Sequence, residues 1–148
     1  ELMKLAAQRR QTAVRAAFGG DLPRVEADHR GLEQVLTNLI DNAIKYSPEG
    51  ATVTVRAAQR GADTVRVSVE DNGPGIEARH LPRLFERFYR IDASRSRQLG
   101  GTGLGLAIVK HLAEAMGATV SVESTPGVGT TFHIDLRVAD ETTGGEIP

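Results

Sequence analysis

Asn38-Leu39-Ile40-Asp41-Asn42-Ala43-Ile44-Lys45-Tyr46 is the stretch of this 148-residue chain in which the fold and the chemistry are read together. Asp28 is a good N-cap ahead of it, and Ser47-Pro48-Glu49-Gly50 is a stop signal behind it, so the spacing predicts one helix from about residue 29 to Tyr46. Leu32, Val35, Leu36, Leu39, Ile40, Ala43 and Ile44 make a single apolar arc, the pattern of a helix that lies on a core. Asn38, Asn42 and Lys45 recur at i, i+4 and i+7, which puts them on one face beside that arc.

Working outward, Val53 and Val55 mark one strand and Val65, Val67 and Val69 another. Gly61-Ala62-Asp63 between them predicts a hairpin. Upstream, Thr12 to Phe18 alternates weakly as a strand before the turn at Gly19 to Pro23, and Glu1 to Arg10 reads as a short helix. Downstream, Leu104 to Met116 is an apolar helix ended by Gly117. Two strands follow, over Thr119–Glu123 and Thr130–Val138. The polar tail, residues 139–148, reads as disordered. These elements predict an α+β fold, a two-layer α/β sandwich with a mixed, mostly antiparallel sheet and helices on one face.

Composition narrows the function. A net charge of −1 argues against a nucleic-acid or membrane surface driven by bulk charge. Zero cysteine removes thiolate metal sites and cysteine nucleophiles. No apolar run approaches the ~20 residues that span a bilayer. The 16 glycines cluster at a few places, which points to functional loops rather than low complexity. Because the chain opens at Glu1 rather than Met, we expect a piece of a longer protein.

Three glycine-rich runs accompany the helix: Asp71-Asn72-Gly73-Pro74-Gly75-Ile76, Gly100-Gly101-Thr102-Gly103-Leu104-Gly105-Leu106 and Gly127-Val128-Gly129-Thr130-Thr131-Phe132. Amide oxygens on the helix suit magnesium and a nearby lysine suits phosphate, although a solvated helix face needs no ligand. Asp71 at a strand end could accept a hydrogen bond from an exocyclic amine, or could be an ordinary turn residue. The run from Gly100 is not a P-loop, since no G-x-x-x-x-G-K-[ST] occurs, and it does not fit G-x-G-x-x-G/A. It leads straight into a helix, so its N–H groups could form an anion site or simply a hinge. Gly127-x-Gly129 alone is a hairpin turn.

Taken in order, these runs, together with Leu84-Phe85-Glu86-Arg87-Phe88, resemble the N box, the two glycine boxes, the F box and the final G-x-G-T-x-F of the catalytic, ATP-binding domain of sensor histidine kinases. That domain has the Bergerat-type fold shared with gyrase, the ninety-kilodalton heat-shock chaperone and MutL-type repair ATPases. The resemblance covers about Asp28 to Leu136. Phe88-Tyr89-Arg90-Ile91-Asp92 and Gly105 to Lys110 resemble the phosphate-sensing branch.

The resemblance implies ATP and Mg2+ as ligands. It makes Asn42 the magnesium ligand, with Asn38 beside the phosphates, Lys45 on phosphate and Tyr46 against the nucleoside. It implies that Asp71 recognises the adenine amine, with Gly73, Gly75 and Ile76 around the ring and Thr131 behind the pocket. Arg90 would reach phosphate from a mobile lid over residues 77–101, anchored by Leu81, Leu84, Phe85, Phe88 and Tyr89. Gly101, Thr102, Gly103, Leu104, Gly105 and Leu106 would close over the triphosphate. Asn38, Lys45 and Arg90 would be the catalytic set.

It also implies a catalytic domain over residues 11–138, with residues 1–10 as the end of a dimerisation helix. The phosphoacceptor motif is absent, because His29, His80, His111 and His133 do not fit it. The acceptor would therefore be a histidine on the parent's own dimerisation or histidine-phosphotransfer domain, with a response regulator downstream and no nucleic-acid partner. This fragment would be cytoplasmic and make no direct membrane contact, while its parent is anchored in a bacterial inner membrane. ATPase members of the superfamily carry a glutamate where this chain has Asn38. Asparagine cannot serve as the general base for water, and Glu33 lies about 140° away round the helix. That weighs against a hydrolytic ATPase, while an anti-sigma serine kinase or binding module is the other alternative. The F box favours the histidine-kinase branch.

Overall fold

A computed structural model describes residues 13–18, 21–91 and 104–139. The proposed helix at residues 1–10, the lid from residue 92 onward, Gly101 to Gly103 and the tail from residue 140 lie outside the described residues.

The expected sandwich is present. Five strands, β1 (Ala13–Phe18), β2 (Thr52–Arg60), β3 (Thr64–Asp71), β4 (Thr119–Thr125) and β5 (Gly129–Arg137), form one sheet in the order β1-β2-β3-β5-β4. β1 is parallel to β2 and every other pair is antiparallel. Helices α1 (His29–Tyr46) and α2 (Gly105–Ala115) share one face of this sheet, and a 3-10 helix spans Ala78–Arg83. The parallel pair follows from the chain order, because α1 carries the backbone from β1 back to the start of β2.

Local chemistry places the ends of α1 where the sequence puts them. The Asp28 carboxylate accepts the Gly31 N–H at 2.8 Å, satisfying a donor the helix itself cannot. Val35, Leu39, Ala43 and Ile44 are buried, with Leu32, Leu36 and Ile40 packed at their margin. Val53, Val55, Val67 and Val69 meet them from the sheet, and Val109 and Ala113 from α2. Phe85 sets its ring edge-on against Phe132 at 6.0 Å, which fastens the segment after the 3-10 helix to the core. The β1–α1 connection is tied to the end of β5, through Glu26 N–H to the Arg137 carbonyl and Ala139 N–H to the Arg24 carbonyl, both at 2.8 Å. Ala139, expected to begin a disordered tail, is buried and belongs to the packed domain.

The other face of the sheet carries a polar layer. The Arg66 fork holds Asp135 across strands β3 and β5 at 2.7 and 2.9 Å. One row along, Ser68 and His133 are paired at 2.6 Å and both are buried. Bidentate charged pairs of this kind fix strand register, because a slip of one residue would send every partner to the opposite face.

Arg66 holds the Asp135 carboxyl below its usual range, against the opposing effect of burial. A depressed carboxyl contributes stability that is present above its unfolded pKa of about 3.9 and is lost as pH falls through the lower folded value. Asp135→Asn should therefore cost about 1 kcal/mol at pH 7 for this partly exposed pair. Urea denaturation of both proteins should show the gap closing near pH 3, and equal stabilities at pH 7 would show that the pair contributes nothing.

Candidate functional site

A cavity of about 300 Å³ opens where the end of β3, the start of β5, the C-terminal half of α1 and the start of α2 converge. Leu84, Phe132, Ile76 and Leu106 give it apolar walls, Asn42 and Tyr46 reach it from α1, and Asp71 and Thr130 are its polar groups from the sheet.

Asp71 is the last residue of β3, inward-facing in step with Val67 and Val69. Its Oδ1 accepts the Gly73 N–H at 2.9 Å. Burial raises the Asp71 carboxyl above the usual carboxylate range; hydrogen bonds from the Gly73 and Thr130 backbone oppose the rise, and Glu70 adds to it. A partly desolvated carboxylate whose hydrogen bonds come from two backbone N–H groups retains acceptor capacity that suits a ligand donor. Asn72 does something different, since its side-chain oxygen accepts the Thr52 N–H at 2.8 Å and secures the start of β2.

Glycine is needed at position 75 for a reason within the chain itself. Its φ is +76°, and an added Cβ would stand 2.2 Å from the Thr125 carbonyl oxygen. Gly129 is similarly close, because a Cβ there would meet the Asp71 carbonyl oxygen at 2.1 Å. The loop after β3 and the β4–β5 turn are thus pressed backbone to backbone, and Gly127 N–H donates to the Pro74 carbonyl at 2.7 Å. Ser124 completes the junction: its hydroxyl accepts the Ile76 N–H at 2.7 Å and donates to the Gly129 carbonyl at 3.0 Å. The same oxygen lies 2.8 Å from the Thr130 hydroxyl.

The sequence-derived site residues divide into groups. Asn42, Tyr46, Asp71, Gly75, Ile76 and Leu106 line the cavity. Gly73 is buried behind it, where a Cβ would stand 3.0 Å from both Asp71 Oδ1 and Ser47 Oγ. Asn38 lies one turn away on α1, its amide 3.4 Å from the Gly105 carbonyl, which links the helix to the start of α2 beyond Leu104. Lys45 pairs with Asp41 at 3.0 Å rather than facing the cavity. Arg90 stands between Tyr89 and Ile91, both cavity-lining, and its Nε is buried without a hydrogen-bond partner.

Thr131 is a correction. β5 presents Thr130, Phe132, Ile134 and Leu136 to the helices, so Thr130 lines the cavity and Thr131 lies on the other face, opposite Glu70 and Glu123. Alternation in step with Phe132 was the available signal. Phe88 is another correction, because it is 66% exposed and does not anchor the core, whereas Leu81, Leu84, Phe85 and Tyr89 do. Ser124 carried no sequence signal, since its role arises only when the two turns meet.

An apolar cavity with one half-buried acidic group and the Asn42 amide at its margin suits a flat polar heterocycle. A family model described as histidine kinase-, DNA gyrase B-, and HSP90-like ATPase matches residues 27–140, and the chain belongs to that family. It is 50% identical over 110 residues to the sensor protein IrlS of Burkholderia pseudomallei, covering 74% of this chain and 24% of that one. It is 45% identical over 133 residues to the sensor-like histidine kinase SenX3 of Mycobacterium tuberculosis, covering 90% and 32%. The match to the phosphate regulon sensor protein PhoR of Pseudomonas aeruginosa, 48% over 103 residues, covers 68% and 23%. Among solved structures, the mycobacterial sensor histidine kinase MprB superposes with a TM-score of 0.78 at 33% identity, covering 92% of this chain and 90% of that one. Full-length ShkA, in complex with AMPPNP, superposes with a TM-score of 0.81 at 35% identity, covering 93% and 28%. The chain thus spans about a quarter to a third of the curated relatives it matches. It is an ATP-binding domain of the histidine-kinase type. Among the described residues no helix is long and apolar enough to cross a membrane.

Two outcomes test this geometry. Gly75→Ala should destabilise the domain by roughly 2 kcal/mol or more, because strain at positive φ adds to a backbone collision; an unchanged melting temperature would refute the close approach. Asp71→Asn has the opposite sign. A carboxyl raised in the folded state adds stability as the protonated form, and that stability is lost as pH rises through the raised value, so its charge is a cost at pH 7. The variant keeps the Gly73 contact and removes the charge. It should melt above the wild type at pH 7, with the gap narrowing toward pH 4.

Proposed function

We propose that this domain binds Mg-ATP and transfers the γ-phosphoryl group to a histidine on the dimerisation or histidine-phosphotransfer domain of its parent, which then supplies a response regulator. The observation that carries the reading is the convergence of Asp71 and Asn42 on one cavity. In this reading the Asp71 carboxylate accepts the adenine amine while Ile76, Leu84, Leu106 and Phe132 exclude water from the ring.

The residues on α1 suit magnesium. Asn42 is a neutral oxygen donor at the cavity margin, and a cation held by one amide oxygen, phosphate oxygens and waters needs no cluster of protein carboxylates. When bound, magnesium neutralises charge on the triphosphate and orients its terminal group. Asn38, one turn earlier, sits beside the phosphates. Lys45 exchanges Asp41 for a phosphate oxygen. Arg90 brings a guanidinium whose buried Nε lacks a partner, a cost of about 1–3 kcal/mol that an anion would relieve. In this reading Gly101, Thr102 and Gly103 close over the triphosphate, while the first part of the proposed lid is packed on the core through Leu81, Leu84, Phe85 and Tyr89.

In the transfer, an imidazole nitrogen of the acceptor forms a bond to the γ-phosphorus as the bond to the β–γ bridging oxygen breaks, and ADP leaves. Asn38 cannot take a proton from water, so the same site preserves ATP until the imidazole arrives. We place the domain on the cytoplasmic side of a parent anchored in a bacterial inner membrane.

Calorimetry should show ATP binding to the wild type and GTP binding much more weakly, because guanine presents an acceptor to the Asp71 acceptor. Asp71→Asn should weaken ATP roughly ten- to a hundred-fold, the value of a buried charge-assisted hydrogen bond. With labelled ATP and magnesium alone the domain should neither label itself nor release phosphate. Added dimerisation domain should gain acid-labile phosphate, slowly because a tethered reaction has become bimolecular, and Asn42→Ala should stop the transfer. Self-labelling on any of the four histidines would refute the assignment.

A further inference from the structure

We propose that His80 is a positioning residue for nucleotide binding, acting through Tyr89 to hold one wall of the cavity in place. The proposal rests on the reading of that cavity as the ATP site. Tyr89 lines the cavity, whereas His80, Arg83 and Glu86 do not. Just before it the backbone turns sharply at Phe88, where φ is +63°, the only non-glycine residue in the left-handed region among the described residues. An aromatic residue does not adopt that conformation by local preference, so contacts elsewhere must hold it. The turn throws the Phe88 ring into solvent and directs Tyr89 inward.

The holding contacts come from the 3-10 helix and the residues just after it. The Tyr89 hydroxyl is hydrogen-bonded to His80 Nδ1, with the two rings tilted by 50° and their centroids 5.9 Å apart. The Arg83 guanidinium lies 4.5 Å over the Tyr89 ring, and Glu86 holds that guanidinium at 3.1 Å. Tyr89 N–H closes the turn onto the Glu86 carbonyl at 3.2 Å. Leu81 and Phe85 pack this short segment on the core, so the clamp has a fixed base. Tyr89 is therefore held at its hydroxyl, its ring face and its backbone, and among the described residues His80 is the side chain that fixes the hydroxyl end. Releasing that end lets the ring leave the wall, and ligand binding must then restore the order.

The test measures ATP affinity by calorimetry, with the melting temperature of each protein as control. Tyr89→Phe keeps the ring and removes only the hydroxyl. It should weaken ATP about three- to ten-fold, the range set by one hydrogen bond, while the domain stays folded with a melting temperature lowered by no more than the few degrees that one hydrogen bond contributes. His80→Ala should give the same loss, and the double variant should be no worse than either single one, because both remove the same bond. His80→Gln, which can still reach the hydroxyl, should recover part of the affinity. If the wild type does not bind ATP, the reading of the cavity fails. If the wild type binds and Tyr89→Phe matches it, or the two single losses add, the clamp is overturned. Should His80→Ala not fold, Tyr89→Phe and His80→Gln decide the question without it.

Discussion

The site depends on one backbone constraint, the pairing of the end of β3 with the start of β5. Asp71 stands opposite Thr130 there, and Gly129 is so close to the Asp71 carbonyl that no side chain fits between them. Gly75 makes the matching approach to Thr125 on the other side of the loop. A half-buried carboxylate at a strand end would normally drift toward water. Here the two glycine contacts and the Ser124 hydroxyl hold the surrounding backbone, and the cost of desolvation is carried by a framework that cannot relax.

The second requirement is that α1 serve two tasks on adjacent faces. Its apolar arc is buried against β2 and β3, which fixes the rotation of the helix about its own axis. Once that rotation is fixed, Asn42 and Tyr46 must point at the cavity margin, because helical geometry leaves them no other direction. The packing energy of Val35, Leu39 and Ile44 thereby orients polar groups that could not orient themselves. Asn38 is drawn toward the start of α2 by the same rotation, which joins the helix to the glycine-rich run that precedes α2.

The polar face of the sheet is separate from this arrangement but supports it. Arg66 with Asp135 and Ser68 with His133 lock β3 to β5 from outside. The register that carries Asp71 and Thr130 into the cavity is thus specified twice, by apolar side chains within and by charged and hydrogen-bonded ones without.

Much of this was legible in the chain order alone. The cap at Asp28, the arc on α1, the valine-rich hairpin and the glycine runs follow from local periodicity and turn chemistry, which need no tertiary partner. They were enough to indicate the sandwich, and in their order they carry the resemblance to the family, which implied Asn42 and Asp71 as residues of one site. Thr131 was expected behind the pocket on the resemblance alone, whereas alternation in step with Phe132 gives that place to Thr130. Phe88 read as an anchor because it is apolar, but its left-handed backbone turns it outward. Ser124 acquires meaning only when distant segments meet, and the His80–Tyr89 contact only when the turn at Phe88 folds back on the 3-10 helix. Local sequence determines which elements form and what chemistry they carry. Tertiary packing determines which side chains share a space, because register, helix rotation and strained turns are fixed by contacts between segments far apart in the chain.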